Sequence, residues 1–107
     1  MDDLTKEQKH LLVSMYKEFL SRQPALSSEN ANYFGDSDDI RNLFLPEASR
    51  EHSSDLCWKL QKKGYISCYP GDNLANEISL SDKTIIYMEN YFSNGLKSVI
   101  DFLSKFI

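Results

Sequence analysis

Few of the reactive side chains in this chain of 107 residues are spaced as catalytic or metal chemistry requires. His10 and His52 stand 42 positions apart, and neither has a histidine or cysteine partner at ligand spacing. Cys57 and Cys68 are too few and too widely separated for a zinc site or a disulfide framework. Cys57 reads as a small core residue and Cys68 as a strand residue. No serine sits in a Gly-x-Ser-x-Gly elbow, and four glycines leave little room for a loop that cradles phosphate. No catalytic residue, metal or cofactor is therefore expected, and the chain does not read as an enzyme. Charge is the remaining chemistry. Twelve Lys and Arg oppose sixteen Asp and Glu, for a net charge of −4. Residues 1–55 hold eleven acids and six bases (−5), and residues 56–107 hold five acids and six bases (+1). This balance argues against a protein that coats nucleic acid by charge alone. A nucleic-acid face would have to use Arg50, Lys59, Lys62, Lys63 and Lys83.

The elements that must position these residues follow from hydrophobic spacing. Leu11, Leu12, Met15, Tyr16, Phe19 and Leu20 recur in steps of three and four, which predicts a helix from Thr5 to about Arg22. Thr5 and Gln8 form a capping box, and Pro24 stops the helix. Residues 23–35 read as a loop or one irregular turn. Asp36 or Ser37 caps a short second helix with Ile40, Leu43 and Phe44 inward, closed by Pro46. Ser49 caps a third helix running to Lys63, with Ser53, Leu56, Cys57 and Leu60 inward and Gly64 at a left-handed C-cap. The period then changes to two. Tyr65 to Tyr69 and Leu74 to Leu80 predict an antiparallel hairpin with its turn at Pro70 to Asn73. Ser81 caps a fourth helix, Asn94-Gly95 breaks the chain, and a last helix runs from Leu96 to Phe106. One domain is expected over 1–107, its core over about 5–93 and its C-terminal helix over 95–107.

Two strings carry a resemblance. Leu56-Cys57-Trp58-Lys59-Leu60-Gln61-Lys62-Lys63-Gly64-Tyr65-Ile66 is similar to the passage from the third helix of a winged helix into its wing. Ile78-Ser79-Leu80-Ser81-Asp82-Lys83-Thr84-Ile85-Ile86-Tyr87-Met88-Glu89 resembles the return from wing to helix, with Thr84 where glycine is common. Together they resemble small MarR-like regulators and winged-helix proteins of Gram-positive bacteria and their phages. The fold implied is mainly α with a β-hairpin: an α+β winged helix-turn-helix with additional C-terminal helices. The function implied is DNA binding and transcription regulation, with the N-terminal half of the third helix in the major groove. Arg50 would then read a base, Ser53 and Ser54 would lie nearest the bases or phosphates, and Lys59, Lys62, Lys63 and Lys83 would contact phosphates. Glu47, Glu51 and Asp55 lie in or beside the same stretch, and Asp72 stands at the wing tip, where basic residues are usual. The alternative is therefore an acidic winged-helix module that binds another protein through its N-terminal half.

Trp58 falls roughly opposite Leu56 and Leu60 on the helical wheel, either as an exposed binding anchor or packed under the wing or against the C-terminal helix. Tyr65, Tyr69, Tyr87 and Tyr91 fit half-buried positions with wet hydroxyls as well as base stacking. Leu96, Val99, Ile100, Leu103 and Phe106 form an apolar stripe on the last helix, with Phe102 off it. The stripe either folds back on helix one, joins a second copy in a homodimer, or lies on a membrane surface. A two-fold dimer is the expectation, because helix one must also cover helices two and three. No run is long enough to span a membrane. Met1-Asp2-Asp3-Leu4 lacks the apolar core of a secretory signal, and a cytoplasmic protein is expected.

Overall fold

Residues 1–105 are described by the computed structural model, and they build six helices and one antiparallel hairpin. Helix α1 (Lys6–Ser21) starts at the expected capping box. The Gln8 N–H donates to Thr5 Oγ1 and the Thr5 N–H to Gln8 Oε1, both at 3.1 Å, so two otherwise orphaned donors are satisfied. Its inner face, Leu11, Leu12, Val13, Met15, Tyr16 and Phe19, forms the floor of the core. The 23–35 segment contains a one-turn helix, α2 (Ser28–Ala31), capped by Ser27. Helix α3 (Ser37–Phe44) begins at Asp36 with a second capping box, the Asp36 and Asp39 carboxylates each accepting the other's N–H. Ile40 is wholly buried and Phe44 half-buried, but Leu43, expected inward, is exposed. In so short a helix the i,i+4 pair Ile40–Phe44 already makes the buried row, and Leu43 falls on its rim.

Helix α4 (Arg50–Lys62) is capped by Ser49, whose Oγ accepts the His52 N–H at 3.1 Å. It buries Ser53, Leu56, Cys57 and Leu60 as the spacing predicts. The chain leaves α4 through Gly64 at φ +85°, where a side chain would be strained. Strands β1 (Ile66–Gly71) and β2 (Leu74–Leu80) pair from Ile66↔Leu80 to Gly71↔Leu74. Pro70 and Gly71, expected in the turn, are part of β1. Asp72 (φ +52°) and Asn73 (φ +62°) alone make the connection, the two-residue turn whose twist suits a hairpin. The register shifts between Ser67 and Tyr69, and opposite this point Glu77 takes φ +52°. There the Ile78 N–H donates to the Gly35 carbonyl and the Phe34 N–H to the Ile78 carbonyl, both at 2.9 Å. The segment before α3 is thereby laid along β2.

Ser81 stands at the N-cap of α5 (Asp82–Tyr91) but makes no side-chain cap. Its Oγ lies 2.8 Å from the Gly64 carbonyl and 3.1 Å from that of Tyr65, where the end of α4 needs donors. Helix α6 (Leu96–Ser104) lies on α1. Val99 is wholly buried, and Phe102, expected off the apolar stripe, packs edge-on against Tyr91 and Phe92 at 6.3 and 5.5 Å. The Phe106 end of the expected stripe lies outside the described residues.

Candidate functional site

The outer side of α4 and the hairpin tip enclose a groove of about 410 Å³, lined by Arg50, Glu51, Ser54, Asp55, Trp58, Asn73 and Leu74. One helix and one tight turn build it. Burying Ser53, Leu56, Cys57 and Leu60 leaves positions 50, 51, 54, 55 and 58 to face outward. The two-residue turn then brings Asn73 and Leu74 alongside. Trp58 is half-buried against the core and forms part of the groove wall, so both readings of it hold in part.

The cations here are already engaged. Arg50 Nε lies 3.2 Å from Asp38 Oδ1, and Lys59 Nζ lies 2.9 Å from Asp55 Oδ2. Asp38 Oδ1 accepts no hydrogen bond, so the Arg50 contact is electrostatic only. His52 Nε2 meets Glu7 Oε2 at 2.8 Å, tying α4 to α1. Such exposed pairs contribute roughly 0–1 kcal/mol each, so pairing alone does not silence Arg50. Composition weighs more: the groove lining holds one arginine against Glu51 and Asp55.

The structure divides the residues that the sequence reading grouped. Arg50 and Ser54 line the groove, and Lys59, five residues beyond Ser54, lies outside it. Ser53 does not belong there. It is fully buried and its hydroxyl has no hydrogen-bond partner, because its position on the inward face of α4 outweighs its nearness to Arg50 in sequence. Lys63 lies thirteen residues beyond Arg50 on a helix rising about 1.5 Å per residue, roughly 20 Å away. Lys63 Nζ donates to the Asp3 carbonyl and, at 3.1 Å, to Gln8 Oε1. Lys83 Nζ donates to the Lys63 carbonyl at 3.1 Å and sits 4.7 Å over the Tyr65 ring. Both lysines therefore fasten the C-terminal end of α4. Lys62 is exposed and makes no ion pair among the described residues.

Asp3 completes that fastening. Tyr65 Oη donates to Asp3 Oδ1 at 2.6 Å. This bond holds the Asp3 carboxyl below its ordinary range and pushes the Tyr65 hydroxyl up to about 12. Sequence reasoning missed the contact, since a separation of 62 residues leaves no local signal. Tyr87 and Tyr91 stack on each other at 5.9 Å, and Tyr69 is exposed on β1. The thiols of Cys57 and Cys68 are free and buried, and burial pushes both up, that of Cys57 to about 12.

The α6 stripe is also divided. Val99 is buried within the chain and Leu103 is half-buried near Phe44, while Leu96 and Ile100 remain exposed. Among the described residues no cluster of His, Cys, Asp and Glu could hold a metal ion, and no helix is long and apolar enough to cross a membrane. No protein-family model, curated protein or solved structure matches the chain.

Proposed function

We propose that the chain is a winged-helix module that binds a protein partner on the surface formed by α4 and the wing, here the β1–β2 hairpin. The element order supports the winged-helix reading: α1, α3 and α4, then the hairpin, with the segment before α3 bonded to β2. One observation carries the choice of partner. The helix that would enter a DNA groove presents Arg50 beside Glu51 and Asp55, with Lys59 held by Asp55 and no base at the wing tip. DNA-binding surfaces are strongly positive because they must displace counterions from phosphates. Here the net charge repels phosphate, and Trp58 with Leu74 supplies the apolar anchor that protein interfaces favour.

A photo-crosslinking residue at Ser54, in the groove and only half-buried, tests this in cells. The expected product is a protein adduct that disappears when Trp58→Ala is introduced as well. A nucleic-acid adduct, or a protein adduct indifferent to Trp58, would overturn it.

A further inference from the structure

A second concavity shares no residue with the α4–hairpin groove. It is a cleft of about 620 Å³ between α1, the α2 region, β2 and α5, within the size range of small-molecule sites. Phe19, Leu20 and Ile85 give it an apolar floor. Glu29, Glu77, Asp82 and Glu89 surround that floor, and no lysine, arginine or histidine lines the cleft. None of the four carboxylates is in an ion pair among the described residues.

Carboxylates alone would describe only a solvated acidic surface. Tyr16 adds an independent observation. It is only 2% exposed, yet it lines the cleft. Its hydroxyl makes no hydrogen bond among the described residues, and it feels the charge of Glu89, another residue of the lining, which places it on the cleft side. A cleft-facing hydroxyl that makes no bond within the protein is available to a ligand atom. Burial and the charge of Glu89 both raise its pKa, so the hydroxyl remains protonated.

No three of the four carboxylates converge as a metal ion requires. A compact cation therefore cannot satisfy them together, whereas separated positive charges on an apolar chain can. We propose that this cleft binds a linear aliphatic polyamine, its ammonium groups on the carboxylates and the Tyr16 hydroxyl and its methylenes on Phe19, Leu20 and Ile85. The same alkylammonium chemistry occurs in lysine side chains, and the test separates the two sources.

The experiment is calorimetric titration of the whole chain with spermidine at physiological ionic strength. Saturable one-site binding is expected. Glu77→Gln with Glu89→Gln should weaken it at least about tenfold, while Glu47→Gln with Asp72→Asn, the same charge change outside the cleft, leaves it within about twofold. Tyr16→Phe should weaken it by about three- to tenfold with both carboxylates intact. Absence of saturable binding would overturn the proposal. So would equal weakening by the two double variants, which would make the effect one of overall charge. Equal affinity for a monoamine would overturn the role of separated charges, and tighter binding of a lysine-rich peptide would overturn a free polyamine as the occupant.

Discussion

Ser53 and Tyr65 show how far a residue's role departs from its type. Ser53 is a polar residue beside Arg50, yet its hydroxyl is buried without a partner. Removing a buried, unsatisfied hydroxyl relieves desolvation at little packing cost. Ser53→Ala should hold or raise the unfolding free energy in urea, by up to about 1 kcal/mol. A loss greater than that would mean the hydroxyl does have a partner. Tyr65 is the opposite case, an ordinary strand-flanking tyrosine whose hydroxyl fastens Asp3. The bond needs Asp3 charged and Tyr65 protonated. The Asp3 contribution is thus present above its ordinary value of 3.8 and lost as pH falls through its lowered one. The Tyr65 contribution is present below 10.0 and lost as pH rises through about 12. In an absorbance titration, Tyr65→Phe should remove one tyrosine ionising near 12, and an unchanged titration would contradict the assignment.

Elements were most legible where their determinants are local. The Thr5–Gln8 capping box, the Ser49 cap and Gly64 at φ +85° all lie within a few residues of the geometry they set, whereas the hairpin turn was legible only as the wider Pro70–Asn73 stretch. Features set by tertiary contact were not legible: the β2 irregularity that meets Phe34 and Gly35, the Ser81 hydroxyl turned toward α4, and the exposure of Leu43. Helix α6 lies between these cases. Its spacing foretold an apolar stripe, but the covering surface depends on how α1 divides its face between neighbours. Val99 is buried in that contact and Ile100 is 45% exposed. Val99→Asp should cost more than about 3 kcal/mol, since it loses apolar burial and buries a charge. Ile100→Asp should change the unfolding free energy by no more than about 0.5 kcal/mol and leave the mass by light scattering unchanged. A halved mass for Ile100→Asp would instead make α6 an interface between copies.

At the scale of the whole molecule, charge is divided between a −5 first half and a +1 second half. The sequence displayed that division but not its consequence, because ion pairs such as Arg50–Asp38 join distant positions. The cations grouped as one phosphate-binding set separate into Arg50 beside the hairpin tip and Lys59, Lys62, Lys63 and Lys83 at and beyond the last turn of α4. The N-terminal half of α4, the part a DNA groove would take, carries Arg50 beside Glu51 and Asp55. The measurement that tests this most directly is titration of random duplex DNA at low salt, read by the fluorescence of Trp58, the only tryptophan and a wall of the groove. The account predicts no saturable change. A contradicting result would be binding whose log affinity falls with log salt at a slope near about −3, the release expected from three phosphate contacts by Arg50, Lys59 and Lys62.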